Sequence, residues 1–587
     1  MIKKDLEILS EYYQNELSYL RSAGSDFAIH YPKIAKRLDF AGYESSDPNI
    51  EYLIESVAFL TGKLQKQIDD QFPEIATTLL NMLYKPLLLP MPSCVMANFD
   101  IDMTRAPQNV GVILPKGSDL QATSDTGEIC HFRTAHDVQF WPIELQSVEF
   151  ISREELPAYY GRSLYYIKLN FMSEIQDVRP EKLRIYFTAK NVFLRSKIYA
   201  SIFESSENII FQKDDSYEFL GKPLSVGCDP AESLFYDSGT VFSGFRLLQE
   251  YFAFADKFYG LDVVLPSNVD ISGNFSLIIP AYERISAQLS TENFSLYSVP
   301  AINLFPKISE PIRLDYRQVS YPLVADYRQY VNHEIYTIEK MVAVDPRDDV
   351  ETIVPEFFQC HYDMSEDGIF WISQRTETHN TGVRGDEVYV SFVDTNFKQS
   401  NPTDKVFYAH CLCTNRYCAE QVPARGRLQV EASIPAKNIY CESRPTPQKS
   451  TIKSGKILWK LISFLSLNSL SFDKNGLDKL KTLLNVFVEI NASNLNNEVN
   501  AIIGFDSTLS IKRFDEQAWK GFTRGMNVEI TFNDELVNRG LPLSFVIANF
   551  LASYTTINTF VDVIVMNTAW NRSLRTWTHQ LGNREYL

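Results

Sequence analysis

Over the first 85 positions apolar residues return every three or four places. Leu6, Leu9, Tyr13, Leu17 and Leu20 make one stripe, Glu11 and Glu16 fall off it, and that period predicts one face of a helix. Asp47 before Pro48 marks a second start, since the carboxylate accepts orphan N–H groups and proline fits the first turn. Ile50, Leu53, Ile54, Val57, Leu60, Leu64 and Ile68 then line a broad apolar face, and Pro73 opens a third, shorter helix. Three short helices make a thin core. Their stripes either close on one another or wait for another chain.

The period changes after Pro86. Prolines 86, 90 and 92 punctuate an uncharged run between Lys85 and Asp100, which excludes both a straight helix and a central strand. A rigid extended joint is expected there. Beyond it VMANFDI, GVILPKGSDLQA, CHFRTAHDVQFWP and SVEFIS are short, alternating and broken by Gly, Pro and Asp, as the strands of sandwiches or barrels are. Similar runs continue through LRIYFTA, SLIIPAYE, HEIYTIEKMVAV, GIFWIS and EVYVSFVD, with one helix around Phe245–Phe254. Cys441 to Lys456 is polar and Pro/Ser-rich, and is expected to be a linker. From Gln421 to Lys460 eight Lys/Arg against two Glu give +6, either a solvated linker or a contact for an acidic surface. ILWKLISFLSLNSLSF and LDKLKTLLNVFVEI return to helical spacing, and RGMNVEITFND reads as a strand.

The expected architecture is therefore multidomain α+β. Residues 1–85 form a helical head, 86–300 and 301–440 two β-rich (sandwich- or barrel-like) domains, 441–456 a linker, and 457–587 a mixed α/β C-terminal domain. A chain of 587 residues suits roughly three to five domains. The uncharged stretch Gly540–Val561 is long enough to span a bilayer, but Asn549, Asn558 and several Ser and Thr point to a buried helix leading into a strand.

Composition narrows the function. A net charge of −17 opposes binding to nucleic acid or anionic lipid. The 31 Tyr and 39 Phe suit strands and contact surfaces. Eight scattered cysteines are no disulfide framework, and the N-terminus has no apolar signal core, so a reduced, cytoplasmic setting is expected. His410, Cys411, Cys413 and Cys418 carry zinc-type ligands, but at Cys-x-Cys spacing and with neighbours on opposite strand faces, so buried cysteines are the better reading. His131 and His136, five apart on an expected hairpin, have a spacing that permits a shared metal, but satisfied structural histidines are the better reading. His333-Glu334 opens like a zincin motif, but Thr337 stands where the second His belongs. No phosphate loop or nucleophile elbow is present. No cofactor, metal or catalytic residue is expected.

The head segments YYQNELSYLRSAGSDFAIHYPKIAKRL and SSDPNIEYLIESVAFLTGKLQKQIDDQFPEIATTLLNMLYKPLLLPMPS resemble the start of the TssF (VasA/ImpG) family of type VI secretion baseplate subunits. LPKGSDL with CHFRTAHDVQFWP, FRLLQEYFAFADKF, CTNR at Cys413–Arg416, LWKLISFLSLNSLS and RGMNVEI are similarly placed, so the resemblance covers the whole chain. It implies a structural wedge protein. Two copies would join one TssG, with TssK and TssE, around a VgrG spike, as the cytoplasmic platform for tube and sheath near the inner membrane. Leu6, Leu9, Tyr13, Leu17 and Leu20, with Phe27, Trp459 and Arg524, are the candidate contact residues, the alternative for the stripe being an internal core. Unequal surroundings of the two copies would call for mobile joints at Lys85–Ser93 and Cys441–Lys456. A β-sandwich carbohydrate-active enzyme and a contractile phage-tail wedge are the competing functions.

Overall fold

The computed structural model describes residues 10, 12–14, 16–21, 30, 48–71, 73–105, 111–157, 159–160, 163–175, 180–235, 243–266, 269–285, 289–315, 317–345, 350–357, 369–378, 383–394, 405–452, 454–466, 476–491, 495–516, 519–533, 537–555, 559–568 and 572–581. They form two compact units, Met1–Leu83 with Ile452–Ser466, and Tyr84–Thr451 with Leu467–Leu587. The α+β multidomain class is as expected.

The described part of the smaller unit is helical. It holds residues 12–14 and 16–21, α1 (Pro48–Gln71), most of α2 (Pro73–Tyr84) and the Gly455–Ser466 helix. The last was expected to begin the C-terminal domain. It groups instead with the head, its Leu458, Leu461, Ile462 and Leu465 stripe buried.

The larger unit is mostly antiparallel sheet. In its six-stranded sheet β1 (Cys94–Ile101) lies between β2 (Ser298–Ile302) and the Ala436–Cys441 strand, and β2 leads on to Ile129–Thr134, Asp119–Thr123 and Leu428–Val430. Position 300 thus falls inside a strand, and segments from both sides of it build this one sheet. A second core lies between the sheet of β3 (Glu334–Asp345) with β5 (Val406–Thr414) and the sheet of β4 (Asp386–Asp394) with Ile369–Glu377. Near the C-terminus β6 (Ile502–Glu516), β7 (Trp519–Phe532), β8 (Thr559–Asn567) and β9 (Arg572–Leu581) lie in that order. β7 and β8 run parallel, so the chain between them needs a crossover, and α5 (Val537–Tyr554) supplies it. The uncharged stretch is thus a core helix followed by a strand. No helix among the described residues is long and apolar enough to cross a membrane.

The helix predicted around Phe245–Phe254 is α3 (Ser243–Ala253), buried on nearly every side. Phe245 meets Phe487 of α4 (Gly476–Asn491) at 6.0 Å and Phe550 of α5 at 5.5 Å between ring centroids. A Cβ on Gly244 would collide with Ser553 of α5, so glycine permits that close crossing. The charges α3 carries inward are paired: Glu250 meets Lys257 and accepts from the Leu234 amide. Its Tyr251 hydroxyl donates to Glu498 at 2.6 Å.

The CTNR segment is a corner between two sheets. β5 ends at Thr414, Asn415 follows buried, and Arg416 takes a left-handed φ of +49°. The Asn415 side-chain oxygen accepts from the His131 amide at 2.9 Å and from Asn303 Nδ2 at 2.8 Å, while its Nδ2 donates to the Ile129 carbonyl at 3.2 Å. Asn303 answers by accepting from the Asn415 amide at 2.7 Å and donating to the His131 carbonyl at 2.7 Å. A buried amide is tolerated only when paired in this way.

The proline joint and the polar linker lie side by side. Met91 and Lys449 exchange backbone hydrogen bonds of 2.8 and 2.9 Å, and the Thr446 amide donates to the Cys94 carbonyl at 2.8 Å. Lys85 is buried against Glu356 at 2.8 Å. Backbone donors of the proline joint find partners in the returning segment, which pairs the two from Met91–Lys449 to Cys94–Thr446. Asn415→Ala should destabilise the larger unit by about 2–4 kcal/mol, by leaving the His131 amide and Asn303 unpaired. Denaturant unfolding followed by tryptophan fluorescence checks it, and a loss under about 0.5 kcal/mol would refute the corner's role.

Candidate assembly surfaces

On α1 small residues face inward and large ones outward. Ala58 is fully buried and Gly62 comes so close to the Tyr12–Tyr13 backbone that a Cβ there would sit 3.1 Å from the Tyr13 nitrogen. Arg21 and Glu51 close the same contact with a 2.5 Å ion pair. Positions 58 and 62, four apart, form the inward stripe. Leu53, Val57, Leu60 and Leu64 form another at the same spacing, and they are exposed, Leu53 by 66% and Leu60 by 59%. α2 repeats the arrangement. Ala76 and Leu80 are buried, while Ile75, Leu79, Met82 and Leu83 are exposed. A contiguous apolar strip of this kind on a surface helix marks a protein-binding face.

The candidate contact residues distribute unevenly. Tyr13, Leu17 and Leu20 are half-buried on the first helix, and Leu6, Leu9 and Phe27 lie outside the described residues. Trp459 is exposed on the Gly455–Ser466 helix. Arg524 is exposed on β7 of the larger unit, opposite Ile511 of β6. Alternation places Leu509, Ile511, Phe522 and Arg524 on one face of that hairpin, with Leu509 exposed by 89% and Phe522 by 75%. Sequence reasoning missed these three apolar neighbours and the outward stripe of α2. The signal for α2 was present: Ile75, Leu79, Met82 and Leu83 follow the same three-four spacing as Leu53 to Leu64.

The histidines and cysteines are occupied structurally. Cys411 and Cys413 point into the core of the β3–β5 sheet, and burial raises both thiols, Cys413 to about 12. A thiol held protonated is a poor ligand and a poor nucleophile. Cys418 Sγ lies 3.5 Å from the Asn332 side-chain oxygen, a weak hydrogen bond. No cluster of three or more metal-ligating side chains occurs among the described residues. His131 pairs with Asp119 at 3.0 Å, a carboxylate that adjacent strands supply rather than the local sequence. His136 is buried between Tyr186 and its own loop, and burial lowers it to about 4, so it is neutral at physiological pH.

A family model described as Type VI secretion system, TssF matches residues 6–584. The chain belongs to the TssF family. It is 25% identical over 618 residues to the type VI secretion system component TssF1 of Pseudomonas aeruginosa strain PAO1, covering 99% of each chain. Its fold is similar to a chain of the TssK-TssF-TssG baseplate subcomplex solved by cryo-electron microscopy, with a TM-score of 0.71 at 18% identity over 92% of this chain and 99% of that one. A chain of another type VI secretion baseplate complex aligns with a TM-score of 0.57 at 20% identity, over 98% of this chain and all of that one.

In this TssF-family chain the CTNR arginine also faces a buried carboxylate. Glu334 accepts from the Asp386 amide at 3.2 Å and from Gln448 Nε2 at 2.8 Å. Gly385, at φ +120°, leaves room for it, since a Cβ there would collide with Glu334 and sit 2.8 Å from Arg416. Burial pushes Glu334 up to about 6, opposed by Arg416 and Arg375 and reinforced by Asp386. A raised carboxyl contributes stability below its unfolded value and loses it as pH rises through the folded one, here from about 4.5 to about 6. Glu334→Gln removes that titration. The wild type should therefore lose about 2 kcal/mol relative to the variant between pH 4.5 and 7. Chemical denaturation of both proteins across that range measures it, and a gap independent of pH would refute it.

Proposed function

We propose that this chain is a structural wedge subunit of the type VI secretion baseplate, acting by assembly and making or breaking no covalent bond. Its partners in this reading are TssG, TssK and TssE around a VgrG spike, with two copies of the chain to each TssG. The complex would stand in the cytoplasm near the inner membrane, as the platform on which tube and sheath polymerise. Residues 1–85 act as the assembly head and the β-rich remainder as the body.

The observation that carries the reading is the outward stripe of α1 and α2. Side chains exposed by between about a third and two-thirds, as these are, yield about 1–2 kcal/mol each when covered. Eight of them give ~8–16 kcal/mol, against an association cost of ~4–15 kcal/mol. One helix alone gives ~4–8 kcal/mol, in the lower part of that cost range, so this reading has a partner cover both. Obligate interfaces of ~2,000 Å² or more are of the size required. Family membership and the baseplate complexes that contain similar folds support the identity of that partner.

Leu53→Asp with Leu60→Asp should abolish co-purification with TssG from a co-expressing cell. The variant's circular dichroism and melting temperature should stay near wild type, because neither side chain is buried in its own unit. An intact TssG complex on size exclusion would show that this face is not the docking surface.

A further inference from the structure

The segment 442–451 follows the Ala436–Cys441 strand and carries the chain towards Ile452, where the smaller unit resumes. Of these ten residues Pro445 alone is buried, so little apolar area holds the segment down. Polar bonds do so instead. Along its length the backbone meets the 91–96 segment at three places: Glu442 to Met96 at 2.9 Å, Thr446 to Cys94 at 2.8 Å, and Lys449 with Met91. At its far end two carboxylates from different strands grip it. Glu334 of β3 accepts from Gln448 Nε2 at 2.8 Å. Asp386 of β4 accepts from the Thr451 hydroxyl at 2.8 Å and from its amide at 3.2 Å. The grip is itself built, because the Asp386 amide donates to Glu334 and Gly385 clears the space for that carboxylate.

We propose that residues 442–451 are a latched strap, closed by Glu334 on Gln448 and by Asp386 on Thr451, which opens as a local unit while the sheets beneath stay folded. A segment pinned by a few polar bonds and almost no apolar burial belongs to the low end of the local stability range. Opening would free ten residues, or about 30 Å of extended chain. The other crossing stays clamped by Lys85 and Glu356. Slack released at one crossing only would let a wedge subunit adapt its head to unequal surroundings, a use that rests on the reading under Proposed function. The latch itself does not rest on it.

The test uses the full-length chain without partners, so its failure leaves the baseplate reading untouched. Gln448→Ala with Thr451→Val removes both side-chain bonds of the latch without altering β3 or β4. Each lost hydrogen bond to a carboxylate shifts opening by roughly tenfold. Amide hydrogen exchange at Thr446 and Lys449 should accelerate about 10- to 100-fold, with amides of β3 and β5 unchanged. Cys94 is fully buried, and its amide donates to the Thr446 hydroxyl at 2.9 Å. Its alkylation, followed by peptide mass spectrometry, should accelerate with the strap. Unchanged exchange at Thr446 and Lys449 in the variant overturns the proposal. So does equal acceleration in β3 and β5, which would make the strap part of the global fold.

Discussion

Polar groups that the fold is obliged to bury set the arrangement of the larger unit. Where β5 ends, Asn415 stands away from water between two sheets, and its side-chain groups and amide meet partners from other elements: Ile129, His131 and Asn303. Apolar packing tolerates small shifts, because dispersion falls off gradually and methyl groups have no direction. A reciprocal amide pair does not, since an unmet buried donor costs a full desolvation penalty. The next residue extends the same constraint. Arg416 donates to the carbonyls of His333 and Arg384, and its charge opposes the upward push that burial exerts on Glu334. Two sheets, a loop and, through Glu334, the far end of the strap are thereby brought to one register by two consecutive residues.

The buried helix α3 applies the same logic to the join with the C-terminal sheet. Its Phe245 and Phe252 supply area against Phe487, and its Glu250 and Tyr251 supply direction through Lys257 and Glu498. Residues after 466 therefore share a compact unit with the β-rich middle instead of standing as a separate module. Sequence position misleads here because a domain boundary is drawn by contacts, and α3 lies more than 200 residues from the helices that cover it.

Local periodicity made the elements legible. The second and third head helices, α3, the alternating strands and the helix-then-strand reading of Gly540–Val561 all follow from spacing and charge. What periodicity does not carry is which side of an amphipathic helix faces its own unit. On α1 the large residues Leu53, Val57, Leu60 and Leu64 look like a core stripe, yet the inward side is the small pair Ala58 and Gly62, which admits a neighbouring backbone. The pairing of the Pro-rich joint with the polar linker was not legible for a related reason. Composition reports a segment's own inability to form a helix or strand, and is silent on whether a distant segment completes its hydrogen bonds. Arg524 was singled out from its motif alone. Its apolar neighbours Leu509 and Ile511 come from the paired strand, which register reveals and sequence does not.

A chain that leaves two apolar stripes uncovered faces the question of why it does not simply aggregate. A net charge of −17 gives copies a mutual repulsion that operates over roughly 8 Å at physiological ionic strength. That range is long enough to slow indiscriminate sticking and too short to oppose a partner already seated against the stripe. Covering the stripe then adds binding free energy to the stability of the head, where α1 turns an alanine and a glycine inward and so buries little area of its own. In the proposed reading folding of the head and assembly are linked, while the body is held by its own paired buried polar groups. A structural subunit gains from that division: the body fixes geometry in advance, and the head commits only where the complementary surface is present.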